Sequence, residues 1–164
     1  MAAQIPTITL DSTLNQTRAA LSWMRTLAYR HKAEPEIVSL ARAIVADIDN
    51  EDRVAMAEAV RSWIHDNITY RSDPSEVQYI QDVPVTLAER SGNCDCMAVL
   101  ASCLLEALGH KTYALGVIWT GEREATHAVI YDHDAGVIVD PVTASPCHAW
   151  PPAPYVAASF VTGA

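Results

Sequence analysis

The chain has 164 residues, half of them hydrophobic, which is the composition of one globular domain rather than of a disordered chain. Eleven Lys and Arg against 20 Asp and Glu give a net charge of −9, which argues against a nucleic-acid surface, because phosphate binding needs clustered basic residues. No stretch approaches the ~20 apolar residues of a membrane-spanning helix, and no signal peptide is evident at the N-terminus. We therefore expect synthesis in the cytoplasm, with the four cysteines present as thiols.

The N-terminal half is predicted to be mainly helical. A short edge strand is expected over residues 5–10, where apolar side chains loosely alternate. Apolar side chains then recur at helical spacing in three segments, which predicts helices over about 14–30, 34–48 and 51–67. Pro35 suits the first turn of the second helix. The segment 68–89 contains two prolines and is predicted to be an irregular surface loop.

The C-terminal half is predicted to contain one apolar helix followed by an antiparallel sheet. The helix extends over about 94–108, and Gly109 follows it. β-rich runs separated by turn signals predict three strands, over about 112–120, 124–132 and 137–140. Residues 132–136 are typical of a tight hairpin. Helices first and a sheet afterwards indicate an α+β fold, in which the later helix packs on the sheet.

Cys94 is the strongest candidate for a functional residue. Ser91, Gly92 and Asn93 predict a loop that leads directly into the apolar helix, so the thiol lies at the helix N-terminus. There the macrodipole and the unpaired backbone N–H groups favour the thiolate, which is the nucleophilic form of cysteine. The alternative for any cysteine is a small buried apolar side chain, and Cys103 fits that description. We interpret Cys94 as a nucleophile.

His127 and Asp140 are the candidates for a base and an orienting acid. His127 begins an apolar strand and could take the thiol proton, then protonate a leaving amine. Asp140 ends the next strand, and its carboxylate could accept a hydrogen bond from the imidazole and set its tautomer. The predicted hairpin folds residues 137–140 back beside the histidine strand, which brings the two side chains together. The structural alternatives are a core histidine and an acid that ends a strand at a turn.

Further candidates surround this constellation. An acyl intermediate needs hydrogen-bond donors for its oxyanion, and the backbone N–H of Cys94 is the first. The second is expected from a side-chain amide of the preceding loop, Gln81 or Gln78. His148, in the C-terminal tail, is the rival to His127 as the base.

Metal binding is the alternative interpretation of the same residue types. Cys94, Cys96, Cys147 and His148 could supply four zinc ligands, but two helical residues two positions apart point about 200° away from each other. A disulfide from Cys147 to Cys94 or Cys96 would require an oxidising compartment. The chain has no Gly-rich phosphate loop and no acidic loop with calcium spacing, so we expect no metal and no cofactor.

Taken together, these motifs resemble the transglutaminase-like family of the papain-like cysteine-enzyme fold. The matching segments are Trp63-Ile64-x-Asp66-Asn67-Ile68-x-Tyr70, Gln81-x-x-Pro84, Gly92-Asn93-Cys94-Asp95, Leu104-Leu105-x-Ala107-Leu108-Gly109, His127-Ala128-Val129 and Val139-Asp140-Pro141. The resemblance implies that Cys94 is the nucleophile, His127 the base and Asp140 the third member of a triad. Relatives commonly have aspartate where this chain has Cys96, and often an aromatic residue after the histidine.

The resemblance implies one domain over residues 1–142, with a helical part over 11–67 and a catalytic core over 68–142, followed by a Pro-rich tail over 143–164. It favours cysteine-dependent acyl transfer on a peptide, isopeptide or glutamine amide, with hydrolysis preferred over cross-linking. Small proteins of this kind also occur among phage morphogenesis genes. The alternative is therefore a virion or assembly module without turnover, whose tail contacts phage structural proteins or a second copy of the chain.

Overall fold

In the computed structural model, the described residues are 2–4, 13–74, 77–119, 121–122, 125–150 and 155–158. Within these ranges the helices are α1 (Thr13–His31), α2 (Pro35–Ile44), α3 (Arg53–Asn67), α4 (Val83–Glu89) and α5 (Cys94–Ala107), with a 3-10 turn over Cys147–Ala149. The strands are β1 (Ala2–Gln4), β2 (Thr69–Tyr70), β3 (Tyr79–Gln81), β4 (Ser91–Gly92), β5 (Thr112–Trp119), β6 (His127–Asp132), β7 (Val137–Val139) and β8 (Tyr155–Ala158). The mixture of helices and small sheets confirms the predicted α+β class.

The helix predictions are confirmed for the first three segments and for α5, with one boundary shortened. The second helix ends at Ile44 instead of 48, because the chain continues in tighter turns in which the Ile48 N–H bonds to the Val45 carbonyl.

The prediction of an irregular loop over 68–89 is wrong for its last third, which forms α4. Pro84 lies in the first helical turn, where a missing N–H costs nothing, and the Asp82 carboxylate accepts a hydrogen bond from Val83 N at the helix start. The predicted strand over 5–10 lies outside the described residues.

Helix α5 is the centre of the core. Its side chains are mostly apolar on every face and almost all buried, as expected for a helix that is enclosed rather than lying on a surface. Helices α1 to α4 and strands β3, β5 and β6 all pack against it. Leu100, Leu104 and Leu105 are completely buried. Because α5 is enclosed on several sides, the position of its first residue is set by the whole core.

The largest sheet is antiparallel, with strand order β7-β6-β5-β8. The hairpin between β6 and β7 forms at residues 133–136, as predicted, and the Asp132 carboxylate accepts hydrogen bonds from the backbone of Asp134 and Ala135. Strand β8 comes from the predicted tail and pairs with β5, so the tail adds a strand to this sheet. The domain boundary at 142 stays a prediction. None of the described helices is long and apolar enough to cross a bilayer.

Candidate active site

Cys94 is the first residue of α5, and a network of hydrogen bonds anchors the helix start. The Asn93 side chain caps the helix by accepting a hydrogen bond from Cys96 N at 2.9 Å. Its amide nitrogen donates to the Asp73 carboxylate and to the Tyr79 carbonyl, both at 2.8 Å. Asp73 also accepts a hydrogen bond from Tyr79 N at 2.9 Å. The loop before β3 is thereby tied to the turn that delivers the thiol.

Gly92 is required by close packing at this turn. A Cβ atom at this position would lie 2.6 Å from Cys96 Cβ, a distance that real Cβ contacts essentially never show. The absence of a side chain lets β4 approach the first turn of α5. The glycine predicted to be part of a loop therefore has a steric role in placing Cys94.

The structure brings His127 and Asp140 into direct contact. His127 Nε2 and Asp140 Oδ2 are 2.8 Å apart, and both side chains are largely buried. The register explains this contact: Val139 is opposite Ile130, so the next residue, Asp140, extends toward the start of β6. In a neutral imidazole held this way, Nε2 carries the proton and Nδ1 is left with a free lone pair. Nδ1 is thus the atom available to accept a proton.

Two tryptophans complete the surroundings of this pair, and the sequence analysis missed both. Trp150 Nε1 donates to Asp140 Oδ2 at 3.1 Å, so the indole and the imidazole share one carboxylate oxygen. The other oxygen accepts a hydrogen bond from Val142 N at 3.2 Å. Trp119 stacks on the His127 ring, with centroids 5.8 Å apart and 24° between the planes. No sequence spacing points to either tryptophan, because each reaches the site from a different segment.

The segment that carries Asp140 and Trp150 is held by α3. Arg61, which is almost completely buried, donates to the Thr143 carbonyl at 2.7 Å and pairs with Glu58 at 2.6 Å. Glu58 in turn accepts a hydrogen bond from Cys147 N at 2.8 Å. We call this set of contacts the α3 clamp; it joins Arg61 and Glu58 of α3 to Thr143 and Cys147. It fixes the chain between Asp140 and Trp150.

Cys94 and His127 line the same cavity, which has a volume of about 260 Å³. Its walls are mostly small or polar side chains from α1, β5 and β6, together with Gln78 and Asp95. The nucleophile and base candidates are therefore accessible to one bound group.

The electrostatics of Cys94 differ from the expectation of a thiolate. Burial, followed by the negative charge of Asp95, raises the pKa of the Cys94 thiol from 9.0 to about 12. The backbone N–H groups of Ala128 and Asp95 hydrogen-bond to the sulfur and lower its pKa, but by less. The helix N-terminus alone predicted an acidic thiol, and burial outweighs that effect. In this structure the sulfur is a neutral thiol that a base must deprotonate.

These positions can now be compared with known proteins. A sequence profile of the transglutaminase-like superfamily matches residues 38–157. The chain belongs to the transglutaminase-like superfamily. The match includes Cys94, His127, Asp140 and Trp150, and it extends beyond 142 into β8. A search of the curated proteins finds no match.

Two solved structures share the fold. One is from Parabacteroides distasonis and is described as a "putative protease"; the TM-score is 0.58 at 18% identity, over 79% of this chain and 26% of that one. The other is from Cytophaga hutchinsonii and is described as a "putative cysteine protease"; the TM-score is 0.50 at 22% identity, over 65% of this chain and 37% of that one. This transglutaminase-like chain therefore spans only about a quarter to just over a third of those proteins.

The two predicted oxyanion glutamines lie in different places. Gln78 lines the cavity of Cys94 and donates to the Asp95 carboxylate at 2.7 Å. Gln81 is buried: its amide nitrogen donates to Glu89 at 2.9 Å, and its oxygen accepts a hydrogen bond from Thr86. It lines a second cavity of about 390 Å³, on the other side of the helix start, together with Cys96. The structure therefore places Gln78, and not Gln81, beside the thiol.

The remaining candidate residues are separated from one another. All four cysteines are free thiols, and Cys96 and Cys147 are buried in different surroundings. His148 is exposed in the 3-10 turn. In the part of the chain that the structure describes, no group of three or more His, Cys, Asp and Glu side chains is arranged to hold a metal ion.

Proposed function

We propose that this protein is a cysteine-dependent acyl-transfer enzyme that cleaves an amide. The observation that carries the proposal is the 2.8 Å contact between His127 Nε2 and Asp140 Oδ2, beside a cavity that His127 shares with Cys94. A cysteine at a helix start, a histidine held by a carboxylate and a common cavity are the parts that nucleophilic catalysis requires. Membership of the transglutaminase-like superfamily supports the same class.

The mechanism follows from the protonation states. Because the pKa of Cys94 is raised to about 12, the thiol is protonated before substrate binds. His127 Nδ1 accepts the thiol proton as the sulfur attacks the amide carbonyl carbon, while Asp140 stabilises the imidazolium that forms. The C–N bond then breaks, and the imidazolium protonates the leaving amine. Water attacks the resulting thioester and the C–S bond breaks. The Cys94 thiol is regenerated, and a carboxylic acid is released.

We assign the hydrogen bonds that stabilise the oxyanion of the tetrahedral intermediate to two donors, the backbone N–H of Cys94 and the Gln78 amide. Backbone N–H groups in the first turn of α5 have no partner within the helix. Gln78 is within the same cavity. Its amide now donates to Asp95, so a rotation of this exposed side chain toward the substrate is part of the proposal.

An acyl-enzyme experiment tests the proposed function. The protein is incubated with a peptide-amide library, quenched in acid and analysed by intact mass and peptide mass spectrometry. We expect a thioester adduct at Cys94 and cleaved amides in solution, both of which are absent in Cys94→Ala. With an added fluorescent primary amine, we expect acid products to exceed amine-linked products.

The matched control is Cys96→Ala, because this thiol lies in the same helical turn but faces the other cavity. It should keep both the adduct and the cleavage. Cleavage that persists in Cys94→Ala would overturn the assignment of the nucleophile. Amine-linked products in excess would show cross-linking in place of hydrolysis.

A second candidate function is an assembly module that keeps the fold without turnover. It is favoured by the burial of Cys94 next to Asp95, which raises the pKa of the thiol and so disfavours the nucleophilic thiolate. A virion or morphogenesis role, in which β8 and the rest of the tail contact a structural protein, predicts that Cys94→Ser leaves assembly intact. The enzyme predicts that the same substitution abolishes turnover.

A further inference from the structure

Asp95 is a buried acid in the candidate active site that the triad does not use. It follows Cys94 in the first turn of α5, and its side chain lines the cavity that contains Cys94 and His127. The residue is only 8% exposed. A carboxylate in the first turn of a helix is favoured by the macrodipole, but an exposed acid would suffice for that purpose. The burial of this acid therefore requires another explanation.

The protein itself supplies no full counter-charge to Asp95. Within the described residues its hydrogen-bond partner is the neutral amide of Gln78, at 2.7 Å, and no Lys or Arg side chain pairs with it. Burial raises the pKa of Asp95; the Gln78 hydrogen bond lowers it, the charge of Asp73 raises it further, and His127 lowers it only through the charge that it carries when protonated. Burying a carboxylate without a cation is costly, and such groups concentrate at functional sites. A cation that arrives with the substrate would supply the missing charge.

The cavity fits a small cationic group. Its volume of about 260 Å³ is below the ~300–1,000 Å³ of typical small-molecule sites, so it suits one side chain or a short amine. Apart from Cys94, Asp95 and His127, its lining is apolar or uncharged polar, including Thr17, Gln78 and Thr126. Thr126 also hydrogen-bonds to Glu122, which adds a second negative charge near the rim. The charge distribution thus favours an ammonium group and disfavours an acidic one.

We propose that Asp95 is a specificity-determining residue that binds a primary alkylammonium group of the substrate, beside Cys94 and His127. The inference rests on the proposed function, because it names the substrate class for that site. The ammonium group has two sources: a lysine-like side chain next to the scissile amide, or a free amine that gives one proton to neutral His127 Nδ1 and, as the neutral amine, attacks the thioester in place of water. Gln78 holds the empty carboxylate in place and is displaced toward the oxyanion when the ammonium binds.

A binding titration tests this inference without any turnover. The full chain is titrated, with detection by backbone amide NMR, with Nα-acetyl-lysine N-methylamide and with its neutral isostere, Nα-acetyl-norleucine N-methylamide. We expect the lysine probe to bind at least tenfold more tightly, with the largest shifts at residues 94–95 and 127–128. n-Butylamine distinguishes the sources: affinity equal to that of the lysine probe indicates a free amine acceptor, and weaker affinity indicates a peptide side chain.

The matched variants are Asp95→Asn and Asp47→Asn. Both remove one carboxylate and change the net charge equally, but Asp47 is exposed and outside the cavity. We expect Asp95→Asn to bring the two probes within about twofold of each other, while Asp47→Asn keeps the discrimination. Equal affinity of the two probes for the unmodified protein would overturn the inference, even if Asp95→Asn does not fold. If the lysine probe still binds more tightly than the norleucine probe but no Cys94-dependent cleavage is found, only the proposed function would be overturned.

Discussion

The protonation state of Cys94 leads to a prediction about its reaction with iodoacetamide as the pH is raised. Only the thiolate is alkylated, so the rate follows the fraction of sulfur that is ionised. At pH 8 a thiol with the ordinary pKa of 9.0 is about one-tenth ionised, and one with a pKa of about 12 is ionised in about one molecule in 10⁴. The thiolate of the less acidic thiol is also the more reactive nucleophile, and this raises its alkylation rate about twentyfold. The net expectation is a rate about fiftyfold below that of an unperturbed cysteine.

The assay uses short pulses of iodoacetamide from pH 6 to pH 10, with the label at each cysteine measured by peptide mass spectrometry. The same chain unfolded in urea supplies the unperturbed reference. We expect the Cys94 rate to rise about tenfold per pH unit with no plateau up to pH 10. Restricted access would lower all of these rates together, so the slope reports on ionisation independently of access.

A plateau that begins below pH 8 would refute this reasoning. It would show that a thiolate already exists near neutral pH, stabilised by an imidazolium. The variant His127→Ala would then identify the source, because loss of the plateau assigns the stabilising charge to His127. Cys96 is an internal comparison, since burial raises the pKa of its thiol to about 11.

Three further predictions follow from the surroundings of the site. Trp150→Phe keeps an aromatic ring, although a smaller one, and removes the N–H that donates to Asp140, so kcat should fall about fivefold, the equivalent of one hydrogen bond of about 1 kcal/mol, with KM little changed; an unchanged kcat would argue against a positioning role for this contact. Arg61→Ala leaves the α3 clamp without its cation, and because the Glu58 left behind is partly exposed to water, urea unfolding should show a loss of about 2–3 kcal/mol, whereas a loss below about 1 kcal/mol would contradict the clamp. Burial raises the pKa of the Cys103 thiol from 9.0 to about 12, so its contribution to stability is present below pH 9 and is lost as the pH rises toward 12. Between pH 9 and pH 11 the free energy of unfolding, measured by urea titration, should therefore fall less steeply in Cys103→Ala than in the unmodified protein, by about 1 kcal/mol per pH unit. Equal slopes for the two proteins would contradict the burial argument.

Local patterns in the sequence were sufficient for the elements that carry the triad candidates. The loop residues Gly92 and Asn93 before an apolar run predicted a helix that starts at Cys94, because turn residues and helical periodicity are both local signals. The β-rich runs and the hairpin after Asp132 predicted that Asp140 would return to the start of the histidine strand. Helix α4 was missed because its proline was interpreted as a helix breaker and not as a first-turn residue.

Contacts between distant segments were decided only by the tertiary structure. Trp150 and Trp119 reach the site from separate segments, Arg61 holds the segment after Asp140, and no spacing in the sequence relates these residues to His127 or Asp140. Packing alone likewise separates the two loop glutamines, because it places Gln78 in the cavity of Cys94 and buries Gln81 beside Glu89.

The pKa of Cys94 shows most clearly the difference between what local sequence predicts and what contacts between distant segments decide. Its place at a helix N-terminus is a local property and predicts an acidic thiol. Its desolvation and its distance from Asp95 and Asp140 are properties of the packed core, and they act in the opposite direction. The sequence by itself determined which residues could form a cysteine site. Only the tertiary structure decided that the pKa of the Cys94 thiol is raised, because burial and through-space electrostatics depend on every segment that encloses the sulfur.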